Sequence, residues 1–309
     1  MKLYLAGLYT SRFDKGGNLY AQLTPREREA RDGVRYILES FHYVGGQGLV
    51  DRMRTDGARI FLDSGAFSAF TKGVDVDLPG YCDYVKRNRD IIATEDGVQL
   101  ASVLDGIGDP LKTWQNQQAM ESLGVRPLPC FHYGEDERYL EWYIANYSYV
   151  TLGGMVPIST PQLIQWLDRI WDKYLIDGAG HPKLKIHGFG LTTIELMKRY
   201  PWWSIDSSTW VQLAAFGGII VPGFGEQLKL YISSTSPSRK KYNQHLDSIP
   251  AYQRDKILGD IAGLGFDIER LQTFYLARWA YNCWGFTELN DRVLASKKET
   301  FSNVQQYLF

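Results

Sequence analysis

The sequence predicts an α/β fold: a (β/α)8 TIM-like barrel with a β-hairpin insertion and C-terminal helices. Two observations carry that expectation. Short apolar runs alternate with longer segments of helical pattern, the order expected of parallel strands joined by crossovers. About eight such units fall within roughly 210 residues, which suits a closed barrel. A doubly wound open sheet satisfies the same alternation, and periodicity alone does not separate the two.

The apolar runs are 2–6 (KLYLA), 36–41 (YILESF), 59–63 (RIFLD), 99–105 (QLASVLD), 126–132 (RPLPCFH), 149–153 (YVTLG), 184–187 (LKIH) and 202–206 (WWSID). Most lead into a helix-like segment, such as 110–123, 135–147 or 160–175. The first connection, 8–32, is irregular, with Thr24-Pro25 as a helix start. Near the C-terminus, 217–220 and 227–233 flank Pro222-Gly223 and read as a hairpin, and helices are expected over 249–264 and 267–284. There is no internal repeat, low-complexity tract or clean linker. The expected division is a catalytic barrel over 1–225 and a hairpin and helical extension over 226–309.

Composition narrows the function classes. With 44% hydrophobic and 22% charged residues, the chain is far from the composition of disorder. The net charge of −1 gives no general positive footprint for nucleic acid. Positive charge is local instead: Lys229, Arg239, Lys240 and Lys241 lie in 227–246 without an acidic neighbour. They are candidate phosphate contacts, although a short basic run is more often a solvated loop. Cys82, Cys130 and Cys283 are far apart, forming neither a disulfide framework nor a C-x-x-C metal pair. That pattern suits a reducing compartment. No signal-peptide core or membrane-length apolar run is present, so a cytoplasmic protein without a membrane partner is expected.

The chemistry is expected where the runs end, because in a barrel the C-terminal strand ends share one mouth. Those ends read Asp63, Asp105, His132, Gly153-Gly154, His187-Gly188 and Asp206. Any one aspartate there could simply cap the following helix. Three on one rim exceed what burial preferences predict. Two carboxylates at one mouth can do glycosidic chemistry, one as nucleophile and one moving a proton. A third can accept hydrogen bonds from the edge of a guanine-like base. Rim glycines let backbone approach a flat ligand, and an aromatic such as Phe67 can stack on it. Phe67 as core and the two histidines as ordinary buried residues are the plainer alternatives. A carbohydrate-active barrel using Asp63 and Asp206 is a further one.

The ordered set of motifs resembles the tRNA-guanine transglycosylase superfamily. Phe61-Leu62-Asp63-Ser64-Gly65-Ala66-Phe67 is similar to that family's D-S-G-G-[FY]-Q segment, Leu104-Asp105 to its second strand-end aspartate, and Leu152-Gly153-Gly154 to its glycine-rich strand end. Ile186-His187-Gly188-Phe189-Gly190 resembles its M-G-V-G segment, and Ser204-Ile205-Asp206-Ser207-Ser208 the strand bearing its nucleophile. The resemblance implies Asp206 as nucleophile and Asp63 as acid–base catalyst. It also implies a base pocket of Asp105, Phe67, Ser64, His132, Gly153, Gly154, His187 and Gly188.

The chain departs from the family in three places, the first being His187 where the M-G-V-G segment has its methionine. His132 stands where the family has a glutamine, and the C-terminal zinc cluster is missing, so no metal or other cofactor is expected. The chain is most similar to the zinc-free, DpdA-type DNA 7-deazaguanine transglycosylases of phages and bacteria. That implies DNA and a free 7-deazaguanine, such as 7-cyano-7-deazaguanine, as substrates, in the host cytoplasm if the chain is phage-encoded. tRNA as the polymer, or a non-catalytic nucleic-acid-binding subunit, are the alternatives.

Overall fold

The computed structural model describes residues 1–44, 46–191, 193–222, 229–293 and 300–302. They fall into two compact units. The first holds Met1–Thr10, Tyr36–Ser207 and the described residues 300–302, and the second Ser11–Arg35 and Ser208–Val293. The chain therefore divides after Ser207 rather than at residue 225, and the irregular first connection belongs with the C-terminal segment.

The first unit contains β1 (Lys2–Ala6), β2 (Ile37–Ser40), β3 (Ile60–Asp63), β4 (Thr94–Glu95), β5 (Val98–Gln99), β6 (Cys130–His132), β7 (Tyr149–Gly153), β8 (Lys185–Gly188) and β9 (Ser204–Ser207). Seven of these form one curled parallel sheet in the order β3-β2-β1-β9-β8-β7-β6. β4 and β5 form a separate two-stranded hairpin.

Two expected strands are shorter than the sequence suggests. The run 99–105 is not a regular strand. Its backbone pairs through single parallel bridges, Leu62 with Ala101 and Ser102 with Leu128. The hydrogen bonds nevertheless continue across it: Ser102 N–H to the Leu62 carbonyl (2.9 Å), Val103 N–H to Leu128 (2.9 Å) and Leu128 N–H to Ala101 (2.7 Å). The run 126–132 yields regular strand only from Cys130. Pro127 and Pro129 lack the N–H that a ladder needs, so Leu128 between them is left with an isolated pairing.

Between the strands of this unit lie α2 (Gln47–Thr55), α3 (Ala66–Thr71), α4 (Leu78–Arg87), α5 (Pro110–Ser122), α6 (Glu137–Asn146), α7 (Thr160–Ile170) and α8 (Ile194–Arg199), following α1 (Pro25–Asp32) of the second unit in chain order. Aspartates start three of them. Asp77, Asp109 and Asp136 accept first-turn amides, Asp77 and Asp109 with a proline in the first turn. Within the sheet unit, Tyr4, Leu38, Phe61, Leu100, Leu128 and Tyr149 pack as one buried cluster. It draws on β1, β2, β3, β7 and the two bridging segments. It lies on the same strand faces as the rim residues, since Phe61 and Asp63 are two apart on β3.

The second unit holds α1, α9 (Thr209–Ala215), β10 (Gly218–Ile220), β11 (Lys229–Tyr231), α10 (Ala251–Gly263), α11 (Ile268–Thr273) and α12 (Tyr275–Glu288). Thr24 and Glu27 form the capping box at the start of α1. β10 and β11 pair antiparallel as the expected hairpin, while Gly223 and Gln227, which the expectation included, lie outside the described residues. Phe13 explains why the first connection joins this unit: its ring stacks on Trp210 (6.2 Å) and meets Trp279 edge-on (5.4 Å). Arg270 adds a double hydrogen bond to Glu27, both at 2.8 Å. The single helix expected over 267–284 is two helices, broken at Phe274, which has extended backbone. Buried Arg278 donates to the Leu271 carbonyl (2.8 Å), one of those freed near the end of α11. Among the described residues no helix is long and apolar enough to cross a membrane.

Candidate active site

Two neighbouring carboxylates, Asp105 and Asp206, act on a third, Asp63. Asp63, at the end of β3, is pushed up to about 7 by burial first, then by the negative charges of Asp105 and Asp206. The Gly65 N–H (3.0 Å) and Ser102 Oγ (3.4 Å) partly oppose this by donating to it. Ser102 is fixed in turn by accepting from the Ser64 N–H (2.9 Å) and by its carbonyl accepting from Tyr81 (2.8 Å). Gly65 must be glycine. Its φ is +76°, and a Cβ there would lie 2.4 Å from both His42 Cβ and Ser40 Oγ. The turn that aims its amide at Asp63 is therefore fixed by residue type.

Asp206, on β9, is 7% exposed. Its Oδ1 accepts the Gly190 N–H at 2.8 Å. His187 Nε2 stands 3.4 Å from the same oxygen, without hydrogen-bond alignment. His187 itself is fully buried, with ring centroids 4.5 Å from Phe61 and 4.6 Å from Phe189, and burial lowers its pKa. Burial thus favours the neutral imidazole, although Asp206 beside it opposes this. Its Nδ1 meets Ser204 Oγ at 2.7 Å, and Ser204 also meets the Tyr149 hydroxyl at 2.6 Å.

Asp105 faces β6. Its Oδ2 is 3.5 Å from His132 Nε2, while its Oδ1 is buried without a hydrogen-bond partner. His132 Nδ1 is 2.8 Å from Glu135 Oε1, and Glu135 Oε2 accepts the His132 N–H at 3.0 Å. Cys130 Sγ is 3.4 Å from His132 Nε2. One donor atom each from Asp105, Cys130 and His132 lie within 4.8 Å of one another, a set able to hold a metal ion.

The expected site residues are sorted by these contacts. Asp105 and Asp206 lie within electrostatic reach of Asp63, and His132 stands 3.5 Å from Asp105. Phe67 stands on α3 close after Asp63 and is 57% exposed, available for stacking rather than core. Gly154 is exposed at φ +68°. Gly153 is paired with His132 across β6 and β7. Ser64, His187 and Gly188 do not line an open wall as expected. Ser64 and His187 are fully buried, and a Cβ on Gly188 would lie 2.5 Å from Leu191, so its smallness serves packing. Of the basic residues, Arg239 is engaged by Asp247 at 3.1 Å and by the Ser234 carbonyl. Lys229, Lys240 and Lys241 are exposed.

Sequence reasoning missed Ser102, Cys130, Glu135, Ser204 and the Gly190 amide. Two were signalled by strand alternation: Cys130 shares a face with His132, and Ser204 with Asp206. The Ser102 contact and the Gly190 amide come from separate segments and had no local signal.

No family model matches the chain, and no curated protein is similar enough to match it.

Proposed function

We propose that the protein is a base-exchange transglycosylase that replaces a guanine in DNA with a 7-deazaguanine, through an aspartyl-glycosyl intermediate on Asp206. The observation that carries the reading is the setting of Asp63, whose burial, with the charges of Asp105 and Asp206 beside it, raises it to about 7. A carboxyl balanced near pH 7 can give and take a proton at working pH.

In this reading the parallel sheet closes as a (β/α)8 barrel, the segment around Ala101 and Ser102 taking the place between β3 and β6. Its bridges to Leu62 and Leu128 support that closure. The target guanine leaves the base stack, at a cost of a few kcal/mol. Asp206 attacks C1′ through Oδ2, because Oδ1 is held by the Gly190 amide. The C1′–N9 bond breaks as the C1′–O bond forms, and the leaving guanine takes the Asp63 proton. A 7-deazaguanine then enters, its N9 attacks C1′, Asp63 accepts the N9 proton, and Asp206 is released. Asp105 Oδ1, buried without a partner, accepts from the N–H edge of the base. Phe67 stacks on it.

The test is incubation with labelled 7-cyano-7-deazaguanine and either DNA or tRNA. The reading expects label in DNA and none with Asp206→Asn. Label in tRNA alone would change the polymer, and unaltered incorporation by Asp206→Asn would remove the mechanism. Wild-type protein should also form a denaturant-resistant complex with nucleic acid, which a mere binding subunit would not.

A further inference from the structure

We propose that Asp105 Oδ2, Cys130 Sγ and His132 Nε2 bind one zinc-class divalent ion, with Glu135 as the carboxylate that orients His132. This goes beyond the proposed base exchange, which needs no metal, and it runs against the sequence expectation of none.

Three features of geometry converge. The first is spacing. His132 Nε2 lies 3.4 Å from Cys130 Sγ and 3.5 Å from Asp105 Oδ2. Ligands about 2.0–2.3 Å from a tetrahedral zinc sit roughly 3.3–3.6 Å from one another. A charge-assisted hydrogen bond would instead draw Nε2 to about 2.7–2.9 Å from the carboxylate. These two separations suit donors around a centre, and all three donor atoms lie within 4.8 Å of one another.

The second is orientation. A Nδ1–H donated to Glu135, 2.8 Å away, leaves the Nε2 lone pair directed at the other two donors. This is the carboxylate–histidine–metal arrangement that fixes a ligating tautomer. The third is space. Gly153 faces the pair across the sheet. A Cβ there would lie 3.0 Å from Cys130 Sγ and 3.2 Å from His132 Nε2. Glycine keeps that position clear.

The donor set of one sulfur, one imidazole nitrogen and one carboxylate oxygen favours zinc over magnesium or calcium, which take oxygen. Binding replaces the Cys130 thiol proton with the metal and releases it to solvent. Three protein ligands leave a fourth position for water or a ligand atom, as at catalytic rather than structural zinc sites. Asp105 Oδ1 remains unengaged, so the metal and a base edge can share this carboxylate.

The test is metal content of the full-length protein, read by plasma mass spectrometry after exposure to zinc and gel filtration, with no nucleic acid or base present. Close to one equivalent is expected. Cys130→Ser and His132→Ala should lose it, while Cys82→Ser and Cys283→Ser retain it. Glu135→Gln should weaken zinc affinity about 10- to 100-fold. Titrating wild-type protein with cobalt(II) supplies a reading that does not depend on a variant folding: a thiolate-to-cobalt absorption band should rise and saturate at one equivalent. No stoichiometric zinc and no such band would overturn the proposal, leaving His132 hydrogen-bonded to Glu135 with no metal. Zinc retained by folded Cys130→Ser would overturn it equally. Base exchange that survives complete zinc removal leaves the transglycosylase reading standing, so the two ideas fail separately.

Discussion

The two ends of the parallel sheet treat charge in opposite ways. At the ends where strands begin, Lys2 pairs with Glu95, and Lys185 pairs with Asp96 at 2.5 Å and Glu95 at 3.8 Å. Both ammonium groups also lie over the Trp203 ring, at 5.4 and 4.4 Å. At the ends where strands finish, Asp63, Asp105 and Asp206 gather with no lysine or arginine in ion-pairing distance among the described residues. Their partners are amides, a hydroxyl and two histidines. The first end neutralises its charges, as a fold built for stability does. The second leaves its carboxylates without a lysine or arginine partner in a partly buried place, a cost that folding alone does not require. The contrast teaches that carboxylates of one sheet are read by their compensation, not by their number.

The largest expected effect breaks this contrast at the nucleophile. Asp206→Asn should lower base exchange by about 10⁴-fold or more, measured as labelled base incorporated into DNA, since loss of a nucleophile removes the covalent route. Asp63→Asn comes next, with a loss on the order of 10²–10⁴-fold. In the wild type, exchange should fall as pH rises through about 7, where Asp63 loses the proton it gives to guanine. The residual activity of Asp63→Asn should lack that limb.

The same group gives a stability prediction with a definite sign. The folded pKa of Asp63 is raised, so its contribution is fully present below its ordinary value of 3.8 and is lost as pH rises through about 7. Thermal melts should therefore show Asp63→Asn gaining on the wild type between pH 4 and pH 8. A variant that loses ground over that range would contradict the buried, like-charge environment.

Ser102→Ala sharpens the account. It removes a hydrogen bond that favours the ionised form of Asp63, so the alkaline limb should move upward by a few tenths of a pH unit to about one. The smallest effect belongs to the other end of the sheet. Lys185→Met removes an ion pair with exposed Asp96 and should change stability by no more than about 1 kcal/mol in denaturant melts, with exchange unaltered.

Much of the sheet was legible because β-strand chemistry is local. KLYLA, YVTLG and WWSID announce themselves by apolar and β-branched content, and strand ends follow from where the run stops. The run 99–105 was legible as extended chain but not as irregular strand. Its pairing depends on a neighbour interrupted by Pro127 and Pro129. The segment 267–284 contains no Gly or Pro, and nothing local marks Phe274 as its break.

The sequence by itself determined which residue types end which strands, because alternation along a strand and the turn chemistry after it are properties of neighbours in the chain. Only the tertiary structure decided what those residues do to one another. It aimed the Gly190 amide at Asp206 and put Ser102 against Asp63. It buried His187 among aromatic rings, and it brought donor atoms of Asp105, Cys130 and His132 within 4.8 Å of one another. Electrostatic pressure and ligand geometry depend on distances between segments far apart in sequence, and folding alone sets those distances.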